Sequence, residues 1–158
     1  MANVGSQYKF EQADKTNPHV IWGYIEWVVT HADLTAAAVT EALDVSDFPA
    51  DAMPLHSHSV VAEYFTGGTV SACTQEVGDA GDPNGLQTSH NVFDTTVIAE
   101  IQHAPGVEAE GGATGPVLEA AYVPQVLFTA VGDNVVNLGA GRASGRVHYK
   151  RFDFSRSS

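Results

Sequence analysis

Short runs of β-branched and aromatic residues, separated by turns rich in Gly, Asp and Pro, constrain the fold of this chain most. In the run 18–31, Ile21 and Ile25 alternate with Trp22 and Tyr24. Because successive side chains of a strand point to opposite faces, this period of two predicts a half-buried strand. Helices do not alternate with the runs, so a parallel α/β sheet does not fit. We therefore predict an all-β fold, an antiparallel β-sandwich or jelly roll of about eight strands.

Other runs of the same kind give the remaining strands. They are predicted at residues 56–65, 69–77, 91–103, 117–123, 125–131 and 144–154. A long turn is predicted at 78–85, a Gly-rich loop at 105–116 and a short turn at 132–134, because Gly, Asp and Asn favour turns.

The segment 33–45 is open to two interpretations. Asp33 can cap a helix, and three consecutive alanines favour one. Leu43 and Val45 also fit an alternating strand, and we favour a loop followed by a strand.

The chain has the size of one domain. With 158 residues and 44% hydrophobic residues it can bury a core. Residues 1–17 are polar without an apolar period and are expected to form an N-terminal arm. The sandwich domain is expected at 18–154, followed by a short tail at 155–158.

Charge is distributed unevenly along the sequence. The net charge is −12, and residues 17–140 contain sixteen Asp or Glu but no Lys or Arg. Such a body cannot neutralise phosphates, so direct binding of nucleic acid is not expected. No apolar run reaches the length of a membrane-spanning helix, no secretory signal is present, and the lone Cys73 cannot build a disulfide framework. We therefore expect folding in a cytosol and no membrane association.

All basic residues lie near the two ends of the chain. Together with two aromatic residues of the arm they are the predicted contacts with an acidic partner. These predicted interface residues are Tyr8, Lys9, Phe10, Lys15, Arg142, Arg146, Lys150, Arg151 and Arg156.

His56-x-His58 followed by Glu63 is the best signal for an enzyme. Two residues apart on a strand, both imidazoles could reach one metal ion. The spacing resembles the first motif of the metal-binding cupins, but Ala50 replaces its leading glycine and no second motif follows. The favoured interpretation is a polar pair on the solvent face of a strand, with no cofactor and no catalytic residue.

Other candidate sites are weaker. Asp79, Asp82 and Asn84 suggest a calcium loop, but their spacing differs from an EF-hand and fits an ordinary turn. Cys73 lies in an apolar strand context without a His or cationic neighbour, so it does not fit a nucleophile. The other histidines, His148 among them, show no ligand spacing and are expected to be structural.

The order of strands and turns resembles the small β-sandwich virion structural proteins of tailed bacteriophages. Three segments carry the resemblance over roughly residues 30–152: Ala32–Thr40 running on to Phe48-Pro-Ala50, Val77–Leu86 and Leu127–Gly141. It implies a protein without catalysis that decorates and stabilises a capsid from the outside, assembled in the host cytoplasm. The implied partners are the major capsid protein and further copies of the chain in a homotrimer.

Two alternatives stay open. A tail, fibre or neck module that binds a receptor would use exposed aromatic residues, with Trp22 and Trp27 as candidate glycan platforms. A cupin-like metal-dependent enzyme would use His56, His58 and Glu63.

Overall fold

The computed structural model describes residues 3–49, 51–93, 100–102 and 122–153. Within these residues nine strands form two antiparallel sheets, one in the order β1-β2-β9-β4-β7 and the other in the order β3-β8-β5-β6. The strands are β1 (Ser6–Ala13), β2 (Val20–Thr30), β3 (Thr40–Asp44), β4 (Met53–Thr66), β5 (Ala72–Gly78), β6 (Gln87–Asn91), β7 (Glu100–Gln102), β8 (Gln125–Val131) and β9 (Ala140–Phe152). Two short 3₁₀ helices, His31–Asp33 and Val135–Asn137, complete the described secondary structure. The predicted all-β, antiparallel architecture is confirmed; the finer jelly-roll topology stays a prediction.

The inner faces of the two sheets form a single core. On β2, Ile25 and Trp27 are completely buried and share one face of the strand, as its alternation requires. On β8 of the opposite sheet, Val126 and Phe128 are also completely buried. The ring of Phe128 lies 4.8 Å from that of Phe65 on β4, so aromatic contacts join the two sheets across the core.

Strand β9 organises the five-stranded sheet. It pairs with β2 over residues Arg142–Phe152 and with β4 on its other side. The register places Tyr24 opposite His148, and His148 opposite His56. This cross-strand register brings together side chains that are far apart in the sequence.

Part of the segment expected to be an arm belongs to the sheet. Residues Ser6–Ala13 form β1, which pairs with β2 along its whole length. The backbone N–H of Val4 also donates to the carbonyl of Asp44 at 3.1 Å, which ties this end of the chain to β3. An edge strand needs only a few apolar positions, which explains why the alternation in the sequence does not reveal it.

The remaining strand predictions meet different outcomes. Residues 125–131 form β8 as predicted, and 33–45 is a loop followed by the strand β3. The prediction at 91–103 is wrong at its start, because β6 ends at Asn91 and residues 92–93 lie outside any strand. The loop 105–116, residues 117–121 of another predicted strand and the tail 155–158 lie outside the described residues. No helix in the described ranges is long and apolar enough to cross a membrane.

Candidate docking face

Among the described residues, the exposed Phe, Tyr and Trp side chains lie on the outer face of the five-stranded sheet. Tyr8 is 59% exposed, Trp22 44% and Phe152 45%, and all three point away from the core. We call this surface the aromatic face. Its members are Tyr8, Phe10, Trp22, Tyr24, His56, His58, Arg146, His148, Lys150 and Phe152.

Four rings form a continuous row across four strands of this face. Phe10 stacks on Tyr24 at a centroid distance of 5.3 Å, and Tyr24 lies 5.7 Å from His148. His148 stacks on His56 at 4.5 Å with an interplanar angle of 15°. The row follows directly from the register of β1, β2, β9 and β4. Rings that hold one another in place lose little conformational entropy when they bind a partner.

Polar contacts fix the side chains beside this row. Arg146 Nε donates to Glu26 Oε2 at 2.8 Å, and its guanidinium lies 4.3 Å from the centre of the Tyr24 ring. Trp22 Nε1 donates to Asp14 Oδ2 at 3.0 Å. The carboxylate of Asp14 also accepts hydrogen bonds from Thr16 and Asn17, and these bonds hold the pKa of Asp14 well below its usual range. The aromatic face is therefore ordered before any partner arrives.

A shallow hollow lies in the middle of the aromatic face. It measures about 210 Å³ and is lined by Phe10, Gln12, Trp22, Gly23, Tyr24, Leu55, His56, His148 and Tyr149. Pockets that enclose small molecules usually measure about 300–1,000 Å³. The hollow fits one protruding side chain or sugar ring better than an enclosed substrate.

His56 and His58 are joined by a third histidine that the sequence did not single out. His148 Nε2 lies 3.3 Å from His58 Nδ1, and the rings of His148 and His56 stack. Burial, together with the neighbouring His56, His58 and Arg146, lowers the pKa of His148 to about 4. His148 is therefore neutral at pH 7, and it contributes to the row as an uncharged ring.

Glu63 does not join this histidine cluster. It pairs with Arg142, whereas His58 pairs with Arg146, four residues farther along β9. At about 3.3 Å per residue this separates Glu63 from His58 by about 13 Å along the sheet. Within the described ranges no three His, Cys, Asp or Glu side chains are arranged to hold a metal ion. The arrangement does not support the cupin-like ligand set.

The opposite outer face, on the four-stranded sheet, has a different chemistry. A transverse row of Thr40, Thr129, Thr74 and Asn91 crosses its strands. Strands β3, β5, β6 and β8 contain no Lys or Arg, and their only aromatic residue, Phe128, is buried. We call this surface the threonine face.

Arg151, one of the predicted interface residues, takes part in an internal cluster. Its Nε and one terminal nitrogen donate to the two oxygens of Glu11, each at 2.9 Å, while Tyr149 donates to Glu11 at 2.8 Å. These bonds lower the pKa of Glu11, with the Arg151 contact as the largest cause. Gly23 makes room for the cluster, since a Cβ there would lie 2.5 Å from the Tyr149 ring. Arg151 therefore stabilises the fold.

The other predicted interface residues are spread over the same sheet. Tyr8, Phe10, Arg146 and Lys150 belong to the aromatic face. Lys9 is exposed on β1, Lys15 is exposed in the turn after it, and Arg142 is exposed near the start of β9. Arg156 lies outside the described residues. Among the residues that the structure describes, every Lys and Arg thus belongs to the five-stranded sheet or to its β1–β2 turn.

Three other residues singled out in the sequence have structural surroundings. Asp79 Oδ1 accepts hydrogen bonds from the backbone N–H groups of Gly81 and Asp82, as expected of a turn. Burial raises the pKa of the Cys73 thiol to about 12, which suppresses its reactivity. Trp27 is completely buried, so it cannot serve as a glycan platform.

Comparisons of this chain with protein-family models, with curated proteins and with solved structures find no match.

Proposed function

We propose that this chain is a virion structural protein without catalysis, which decorates and stabilises a phage capsid by binding the outside of the shell. The observation that carries the proposal is the aromatic face. Exposed Tyr, Trp and Arg side chains in one ordered patch are the composition of energetic hot spots in protein interfaces. The resemblance of residues 30–152 to small phage virion proteins is the reason for proposing a phage capsid as the partner.

The distribution of charge supports an acidic docking partner. Arg146 and Lys150 lie on the aromatic face, while the body of the chain carries most of its nineteen acidic residues. The salt bridge of Arg146 to Glu26 leaves Lys150 as the cation best placed to meet a carboxylate of a partner. An acidic patch of the major capsid protein would complement this surface and orient the encounter.

The two unlike outer faces also support the proposed homotrimer. A contact between the aromatic face of one copy and the threonine face of the next is heterologous, and such a contact closes into a ring when the rotation fits. A homotrimer on the shell would then use only part of each aromatic face for contacts between copies. Light scattering of the purified chain measures this directly: three times the monomer mass supports the ring, and monomeric mass at high concentration contradicts it.

Binding to undecorated shells tests the proposed function. Shells assembled without this chain are mixed with purified protein, sedimented, and analysed for bound protein and for the temperature at which they open. We expect saturable binding and an increase in that temperature. Absence of binding at micromolar protein, or binding without any effect on the shell, would contradict the proposal.

A receptor-binding module of the tail or fibre is the second candidate. The hollow beside Trp22, Tyr24 and Phe10 favours it, because aromatic rings next to polar groups can stack on a sugar ring. Screening the purified chain against a glycan array distinguishes the two functions. A glycan that binds and is lost in Trp22→Ala would favour the receptor-binding function over decoration.

A further inference from the structure

Four of the five buried polar residues of the described chain lie between the two sheets. Ser57 and Ser59 belong to β4, Gln75 to β5 and Gln87 to β6, and each is at most 1% exposed. The fifth, Gln125, lies elsewhere and donates to Asp44 Oδ1 at 2.8 Å. Buried polar groups require hydrogen-bond partners, since an unsatisfied group has lost its hydration without any compensating bond.

Ser59 is the hub of this polar cluster. Gln87 Nε2 donates to Ser59 Oγ at 2.6 Å, and Gln75 Nε2 approaches the same oxygen at 3.5 Å. Gln87 Nε2 also lies 3.3 Å from His90 Nδ1. Through these contacts the amide nitrogens of both Gln75 and Gln87 have hydrogen-bond partners.

The oxygen side of the cluster lacks protein partners. The side-chain oxygens of Gln75, Gln87 and Ser57 are buried without any hydrogen bond from the protein. The indole N–H of Trp27 is also buried without a hydrogen-bond partner. The Trp27 ring lies over Gly145, and Gly145 pairs with Ser59 across the sheet. Both amides lie against Ser59 Oγ, so their two oxygens are unpaired acceptors in one neighbourhood of the interior.

Rotating an amide changes which kind of partner the cluster needs. If the Gln87 amide turns over, its oxygen can accept from the Ser59 hydroxyl, and its nitrogen, with two hydrogens to donate, then needs acceptors where the oxygen needed donors. A water molecule serves either orientation, because it can both donate and accept.

We propose that the interior between the two sheets holds an ordered water molecule, bound by the side-chain oxygens of Gln75 and Gln87 with Ser57 or the Trp27 indole as a further partner. Water supplies two donors and two acceptors and is the usual occupant of polar sites buried in proteins. It donates to the two amide oxygens and accepts from the indole N–H or the Ser57 hydroxyl. This site is independent of the docking function.

Electron density at high resolution tests the proposal in the unmodified protein. We expect a water within about 3.2 Å of Gln75 Oε1 and Gln87 Oε1. Nuclear Overhauser effects between a long-lived water and the Trp27 indole hydrogen report the same molecule in solution. A structure in which protein groups satisfy both amide oxygens, with no water density between them, overturns the proposal.

Substitution supplies a matched control. Gln87→Met keeps the length of the side chain but removes its hydrogen bonds, so we expect the water density and the water signal at Trp27 to be lost. Gln125→Met removes a buried amide outside the cluster, so the signal should persist. Loss of the signal in both variants, or in neither, contradicts the assignment of the site.

Discussion

The two outer faces of the sandwich differ far more than the two inner faces do. Inside, both sheets present large apolar side chains, such as Trp27 from β2 and Phe128 from β8. Outside, the aromatic face carries stacked rings and cations, whereas the threonine face carries a row of Thr and Asn side chains beside the exposed Val131 and has no Lys or Arg on its four strands. Every sandwich must fill its core with apolar side chains, so the similarity of the inner faces follows from the fold. Exposed rings do not stabilise a monomer in this way, so the aromatic face points to a partner.

Shell binding should show the largest difference between the faces. Trp22→Ala on the aromatic face is expected to weaken binding about 30-fold, corresponding to about 2 kcal/mol, because Trp is the strongest hot-spot residue. Thr129→Ala on the threonine face should change the affinity less than about twofold. Titration of undecorated shells measures both, and equal losses would show that the docking surface lies elsewhere.

Arg151 and Lys150 are adjacent on β9, and we expect the first to stabilise the fold and the second to bind the partner. Glu11→Gln is expected to lower the free energy of unfolding by about 2–3 kcal/mol, since it leaves the half-buried Arg151 with only the longer contact to Asp51, at 3.6 Å, as an ion pair. Lys150→Gln, one residue away on the aromatic face, should cost less than about 0.5 kcal/mol. Urea unfolding measures both changes, and a Lys150→Gln effect as large as that of Glu11→Gln would make Lys150 a structural residue.

Titration of His148, on the aromatic face, is expected to make the free energy of unfolding depend on pH. The pKa of His148 is about 4 in the folded chain, below the ordinary value of about 6.5, so the unfolded chain binds more protons between these values. Stability should therefore rise from pH 4 to pH 6.5, and the contribution of His148 should be lost as the pH falls. Because His148 is only half-buried, we expect about 1–2 kcal/mol.

Comparison with His148→Gln isolates this contribution from the titration of the carboxylates. The variant should lose less stability than the wild type between pH 6.5 and pH 4.5. Parallel pH profiles for the two proteins would show that His148 is protonated without cost.

The smallest effects are expected on the threonine face. Thr74→Ala and Thr129→Ala should each change the free energy of unfolding by less than about 0.5 kcal/mol, because both side chains lie outside the core. Thermal unfolding measures the change. A loss above about 1.5 kcal/mol would indicate that the threonine row contributes to the fold as the core does.

The inward pattern of the strands could be predicted from sequence, but their partners could not. A period of two put Ile25 and Trp27 on one face of β2, which proves to be the core face, and it gave the full extent of β8. Strand β6 was missed because Gln87-Thr-Ser-His-Asn91 is polar and its buried position is a glutamine. Strand β1 was missed because an edge strand shows little apolar alternation.

The candidate site depends on register, which explains why only part of it could be predicted. His56 and His58 are neighbours in sequence, whereas His148 meets them through the pairing of β4 with β9. Arg151 was predicted to contact a partner, and only the packing of Tyr149 beneath Gly23 shows why it binds Glu11 within the chain. Local alternation fixes which face a residue occupies, but not which residues share that face from other strands.

Hydroxyl-radical footprinting of the chain, free and bound to shells, tests docking through the aromatic face most directly. The reporters are the exposed side chains of Tyr8, Phe10 and Trp22 on one face and of Val131, 56% exposed, on the other. The account predicts that oxidation of the three aromatic residues falls several-fold on binding, while Val131 is oxidised as in the free chain. Protection of Val131 with unchanged oxidation of Trp22 would contradict it.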